Sequence, residues 1–462
     1  MLNLTLKDVK IDVSDTGGDN FEFEDDQRGK AALSVQGKGN VEIELDGNNE
    51  LKSGASRAGL EKTSTGKLTL KDDNKEAGSL TATGGASAAG IGGDWKGSGE
   101  NITITGGTVD ATGGYGSAGI GGGKEGKGEN ITITGGTVNA TSNDGAGIGG
   151  GLLGSGENIA ITGGTVNATG TDGAGIGGGN GGVGKNITIT GGTVTAAGGF
   201  GNAGIGGGNG SDGENITITG GSVTATGGYG GGAGIGGGEN GNGEDITING
   251  GKVNASGAYG GAGIGGGVNG IGSKVTVSGA AQVTATATGS GPDWSGVGTG
   301  ATIGNGGSKT PDGPVDGKEI QADISHLTPG YIHHILYNRD GTTIKREWWE
   351  PVRTPLDGKS LDLHVETLKG APLPFNTRQQ GSTLRVTTDN LSARLHGTRQ
   401  ALETLQEQGV EQIQFVTTLK TTTLSVAELL AEGGSWFALE HDGLASRRLS
   451  AAQAESLKCW RH

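Results

Sequence analysis

From residue 101 the chain reads Asn101-Ile102-Thr103-Ile104-Thr105-Gly106-Gly107-Thr108-Val109-Asp110-Ala111-Thr112. Ile102 and Ile104 alternate with Thr103 and Thr105, and Val109 and Ala111 alternate with Thr108, Asp110 and Thr112. A period of two predicts strands with one apolar and one polar face. After a short turn, Ala118 and Ile120 alternate with Gly119 and Gly121, a third and shorter strand. The pattern then starts again at Asn130, Asn158, Asn186, Asn215, Asp245 and, degenerate, Lys274, a step of about 28 to 30 residues. Looser copies begin near Asn40 and Lys67, and Leu2 to Leu6 supplies an opening strand.

The six small apolar residues of one repeat cannot form a core alone. Stacked at the inter-strand spacing of about 4.8 Å, such repeats bury a continuous one. The sequence therefore predicts a mainly β protein, a right-handed parallel β-helix of about ten coils over residues 1–307, with a small α+β domain after it. Left-handed β-helices use shorter coils, and propeller blades are longer. Gly106-Gly107 and the run from Gly121 are placed where corners need positive φ.

Composition sharpens this picture. Glycine accounts for 104 of 462 residues, far above the usual share of about 7%, and it recurs at a fixed interval instead of marking a flexible linker. The net charge of −15 argues against nucleic acid as a partner. Cys459 is the single cysteine, so no intrachain disulfide is available. No apolar run is long enough to span a bilayer, and residues after Met1 have no signal-peptide pattern. Met1 thus reads as an internal start, with any signal peptide outside this chain.

The phrase Gly-Glu-Asn-Ile-Thr-Ile-Thr-Gly-Gly-Thr-Val with Ala-Gly-Ile-Gly-Gly-Gly resembles the repeat of predicted surface proteins of anaerobic gut bacteria. The opening portion, with Asn48-Asn49-Glu50-Leu51 and Ala58-Gly59-Leu60-Glu61-Lys62, is similar to clostridial carbohydrate-binding, pectate-lyase-like β-helix proteins. The resemblance covers about residues 1–306. It implies a secreted or cell-surface location and an acidic polysaccharide ligand with calcium, though no ligand residue carries over.

Four arrays could carry chemistry. Tyr115, Phe200, Tyr229 and Tyr259 occupy the turn before the glycine strand, where Asp144 and Asp172 stand in two other coils. An aromatic row beside a bare glycine strip could stack on sugar rings; the plainer alternative is corner packing of ring on ring. Glu100, Glu129, Glu157, Glu214 and Glu244 form an acidic column interrupted by Lys185. Such a column could hold Ca²⁺, or its side chains could splay into water. Asn101, Asn130, Asn158, Asn186 and Asn215 are expected to form an internal amide ladder. Paired threonines such as Thr103/Thr105 suit an exposed strand. Catalysis is not expected: the glycine-rich coils have no histidine and few Lys or Arg, and Asp110 stands alone among Asn139, Asn167 and Thr195.

Composition changes at 308–317, read as a linker. Residues 318–375 read as a β-rich connecting unit, with a hairpin from Tyr331 to Tyr337 and Thr342 to Trp349 and a strand from Leu361 to Thr367. Residues 376–446 read as an α+β unit, with strands at 383–387, 392–396, 412–417 and 436–440 and helices at 398–408 and 426–431. Residues 447–462 read as a poorly anchored polar tail. His333-His334 alternate on a strand, so they cannot share a metal, and Trp348-Trp349 suit core and edge packing.

Three functions stay open: a non-catalytic polysaccharide-binding solenoid, a structural stalk or adhesin with no glycan ligand, and a polysaccharide lyase or hydrolase. The first is the expectation, with no required cofactor and with a polysaccharide or host-surface glycan as partner.

Overall fold

The computed structural model describes residues 1–18, 28–74, 76–289, 296–327, 330–350 and 361–457. Cys459, and the stretch 351–360 ahead of the expected strand at 361, lie outside them. The chain divides into two compact units, one of residues 1–326 with 332–348 and one of 327–331 with 349–462.

The first unit is a parallel β-solenoid. A typical coil has strands Gly128–Ile133, Thr137–Asp144 and Ile148–Gly149. Each pairs in parallel register with its equivalents in adjoining coils: Ile133 faces Ile104 and Ile161, and Ile120 faces Ile91 and Ile148. The third strands stack ten deep, from Leu33–Val35 to Ile303–Gly304. The inward set of the coil beginning at Asn130, namely Ile131, Ile133, Val138, Ala140, Ala146 and Ile148, is fully buried. Alternation thus places the core where the sequence predicts it.

Two backbone positions recur in every glycine-rich coil. Gly121 has φ +133°, and a Cβ there would lie 2.0 Å from the Gly149 carbonyl oxygen of the next coil. Only glycine satisfies both conditions. Asn130, Asn158, Asn186 and Asn215 sit at φ 51–54°, in the left-handed region that asparagine tolerates. The register skips this residue, running from Glu129↔Glu157 to Ile131↔Ile159. It makes a left-handed kink that all these strands share in register, and the side chain points outward. The amide ladder exists, with Asn186 Nδ2 donating to Asn158 Oδ1 at 3.0 Å and Asn215 Nδ2 to Asn186 Oδ1 at 2.7 Å. It is an external ladder, not the internal one expected.

The stretch expected as a linker folds onto the solenoid unit. Ser308–Thr310 and Gly313–Val315 form an antiparallel hairpin. Beyond it, Ile320 donates its N–H to the Ile303 carbonyl, and Val277 donates to Asp323. Residues 318–326 and 332–348 therefore belong with the last coils and not with a separate connecting unit. Strands Tyr331–Tyr337 and Ile344–Glu350 flank a turn closed by Asn338 N–H to Thr343 O, 2.7 Å. His333 Nε2 lies 2.7 Å from Glu347 Oε1, while buried His334 lies 2.6 Å from Thr302 Oγ1 and stacks on Trp348, so the two histidines do diverge.

The second unit holds two four-stranded sheets, one of Leu363–Glu366, Ser392–Thr398, Trp436–Asp442 and Ala445–Arg448, the other of Asn376–Gln380, Thr383–Thr387, Gln412–Val416 and Thr421–Ser425. Helix Arg399–Glu407 buries Ala401, Leu402 and Leu405, and helix Val426–Ala431 buries Val426 and Leu429. A third helix, Ala451–Ser456, falls in the expected loose tail. It is held by a Ser450–Gln453 capping box and by burial of Ala454 and Leu449 against Ala438. Three strand–strand–helix segments follow one another, each helix capped by Thr398, Ser425 or Ser450. A buried Arg394 ties the first sheet together, donating to Glu366 at 3.0 Å and Glu440 at 2.6 Å.

Candidate functional site

The aromatic residues gather at one corner of the solenoid. Phe200 and Tyr229 have ring centroids 5.8 Å apart, and Tyr229 and Tyr259 3.9 Å apart, so three successive coils carry a continuous row. Phe200 is 44% exposed and Tyr229 42% exposed. The rings pack on one another and still present surface to solvent. Tyr115 lies further along the same corner, 41% exposed, with Lys124 Nζ 5.7 Å from its ring centroid. The two coils between it and Phe200 carry Asp144 and Asp172. Burial, then hydrogen bonding and repulsion with Asp172, push the Asp144 carboxyl up to about 6, against the opposing pull of Tyr115 and Lys124. The row is thus aromatic, acidic, aromatic.

The glycine strand beside it is not the bare strip expected. Residues 234–238 are buried. A Cβ on Gly234 would meet Ser256 N at 2.5 Å, and one on Gly237 would meet Gly241 O at 2.2 Å. The chain's own backbone takes the space that the missing side chains leave, so no sugar hydroxyl can approach there. What remains open at the corner is the ring row itself.

The glutamates align in register, Glu100 with Glu129, Glu129 with Glu157, Lys185 with Glu214 and Glu214 with Glu244. Lysines stand between them. Lys127 lies 3.3 Å from Glu129 and 3.4 Å from Glu157, and Lys185 lies 2.8 Å from Glu214. The hydrogen bonds that Lys127 and Lys185 donate to these carboxylates raise the pKa of both lysines. Among the described residues no cluster of three or more His, Cys, Asp or Glu is arranged to hold a metal ion. Asp110 is also engaged: its carboxylate accepts from Asn139 Nδ2 at 2.6 Å, and Asn139 accepts from Asn167.

Sequence reasoning missed a charged patch on the early coils. Arg28 lies 3.2 Å from Asp94, and Arg57 lies 3.3 Å from Glu61 and 3.9 Å from Asp94. Arg28 and Lys96 both sit over the Trp95 ring. These residues fall in irregular coils, where no column pattern draws attention to them. No helix among the described residues is long and apolar enough to cross a membrane.

The stacked coils and their in-register core define a parallel β-helix. In agreement, six successive stretches, residues 102–124, 131–152, 159–180, 187–209, 216–239 and 246–268, match the beta helix repeat family. No curated protein and no solved structure matches the chain.

Proposed function

We propose that this chain is a non-catalytic, secreted or cell-surface solenoid that binds polysaccharide along the Phe200–Tyr229–Tyr259 corner. The observation that carries the reading is the row of rings on three successive coils, of which Phe200 and Tyr229 are the more exposed and Tyr259 is half-buried. Flat aromatic faces suit the C–H surfaces of sugar rings, and a linear polymer can meet several at once. With Asp172 and Asp144 next along the corner and −15 net charge, a neutral polysaccharide fits better than an acidic one. Calcium is not needed in this reading, since Lys127 and Lys185 already relieve the glutamate column. The likeness to surface repeats of anaerobic gut bacteria supports the location, and the engagement of Asp110 with Asn139 supports a non-catalytic role.

The test is binding of the full chain to a panel of neutral polysaccharides, repeated with the double variant Tyr229→Ala, Tyr259→Ala. A loss of at least about tenfold, equivalent to about 1.4 kcal/mol, is expected with the fold unchanged. Equal affinity removes this corner. Failure of every polysaccharide to bind favours the stalk reading, to which the close ring-on-ring packing and the buried glycine strand also lend support.

A further inference from the structure

The aromatic corner carries a feature that the repeat does not explain. In the coil that begins the ring row, Asn202 precedes the glycine strand, where other coils have Gly145, Gly173, Gly232 and Gly261. Its side chain is fully buried. It donates from Nδ2 to the Phe200 carbonyl at 2.6 Å and accepts the Asn209 N–H at 2.7 Å. The ring turn is thereby clasped to the turn at the far end of the glycine strand. The Gly201 peptide makes a second tie, donating its N–H to the Tyr229 carbonyl and accepting the Glu239 N–H, both at 2.6 Å. These ties bring unlike side chains together. Asn209 and Glu239 are half-buried, and Asn209 Nδ2 donates to Glu239 Oε2 at 3.1 Å. They lie over Gly201: a Cβ there would stand 2.6 Å from Asn209 Nδ2 and 3.2 Å from Glu239 Oε2. Phe200 lies over Gly230, whose Cβ would stand 3.0 Å from two carbons of the ring and 3.1 Å from Gly201 N. An amide, a carboxylate and an exposed ring thus meet at one point of the surface. The same column holds Leu152 two coils before Asn209 and Val268 one coil after Glu239.

We infer that Asn209 and Glu239 are the specificity-determining residues of the aromatic corner, hydrogen-bonding two neighbouring hydroxyls of a neutral sugar unit seated on the Phe200 and Tyr229 rings. The inference rests on the reading of the ring row as a polysaccharide surface. Asn209 gives one N–H to Glu239 and keeps its second N–H and its carbonyl for a ligand, while Glu239 Oε1 is an acceptor only. A pair of sugar hydroxyls matches this set, because each hydroxyl donates and accepts. A uronate would bring a second carboxylate against Glu239. An ammonium group would satisfy Glu239 but could accept nothing from Asn209. The rings supply the apolar platform and the pair supplies the choice of sugar. Because buried Asn202 and the Gly201 peptide fix ring and pair relative to each other, little ordering is left for binding to impose.

The experiment is affinity electrophoresis of the full chain in native gels cast with hydroxyethylcellulose, galactomannan or polygalacturonate. At least one of the two neutral polymers is expected to retard the chain, and polygalacturonate is not. Asn209→Leu and Glu239→Val install residues that the column already holds, so both variants should keep the parent melting temperature. Each is expected to weaken binding to the neutral polymer by about tenfold or more, since a hydrogen bond with a charged partner or within its network is lost. Undiminished retardation of both variants, with loss in the Tyr229→Ala, Tyr259→Ala chain, would overturn the inference and leave the ring row standing. Equal retardation by polygalacturonate would also overturn it. If neither neutral polymer retards the parent chain, the inference falls together with the reading on which it rests.

Discussion

At the scale of single residues, the solenoid depends on what each position faces. Ile133 is fully buried and stacked between Ile104 and Ile161, so Ile133→Asp places an unpaired charge in the core. It should destabilise by more than about 3 kcal/mol. Thr132→Ser, on the opposite face, should stay within about 0.5 kcal/mol; urea denaturation of both variants checks the contrast. Asp144 has a definite pH signature. Its folded pKa of about 6 lies above that of an exposed aspartate, so the folded state favours its protonated form. Its contribution is present below about pH 4 and is lost as pH rises through 6. The group is half-buried at the corner, so solvent screening keeps the effect below the full value of such a shift. Asp172→Asn, which removes the like charge, should raise the melting temperature at pH 8 and leave it unchanged at pH 4. An equal shift at both values would mean that charge repulsion is not the cause.

At the scale of elements, the left-handed asparagine is the most exacting feature outside the core. Asn186 at φ 54° should tolerate glycine with little loss, whereas Asn186→Ala should cost about 1–2 kcal/mol by forcing a Cβ into the left-handed region; thermal melts of the pair measure it. The strands were legible because Ile102, Ile104, Val109 and Ala111 keep a strict period of two. The kink was not, because one residue in a left-handed conformation interrupts that period without any change in polarity, and asparagine serves equally well in a ladder facing inward. Residues 234–238 illustrate a different limit. Glycine signals that something comes close to the backbone, but not whether that something is a ligand or the chain itself. The helix at Ala451–Ser456 did have a signal, Ser450 with Gln453 three residues on, the spacing of a capping box. Its apolar face is only Ala454 with flanking leucines, too slight to read as periodic. Of the candidate site, the aromatic row could be read from spacing, while the Asp144–Asp172 interaction within it could not, since two aspartates one coil apart look the same whether they splay into water or meet.

At the scale of the whole solenoid, stability is a sum of similar coils and the interfaces between them. Deleting residues 158–185 removes one coil of 28 residues and joins Glu157 to Asn186, restoring the Glu-Asn-Ile phrase. Such a chain should fold, with unchanged β-sheet circular dichroism per residue and a smaller urea m-value, since less surface is buried. Deleting only 158–171 leaves half a coil, so the inward face of one strand meets the outward face of another. That chain should lose cooperative unfolding. If the two deletions behave alike, the coil is not the structural unit.

The packing of backbone against backbone at the glycine turns has a consequence for how the molecule resists a proteinase. A digestive proteinase must draw several residues of extended chain into its cleft, and it starts from exposed, locally opening loops. The repeated coils give it little to grip: their turns are short and their carbonyls are already bonded to the coil above or below. Between Lys127 and Lys252 the single basic residue is Lys185, which lies within a paired strand and is tied to Glu214. Trypsin-like enzymes therefore find almost no cleavable bond there, and the cuts should fall at or before Lys127 and from Lys252 onward. The middle of the solenoid would outlast both ends as a digestion-resistant rod.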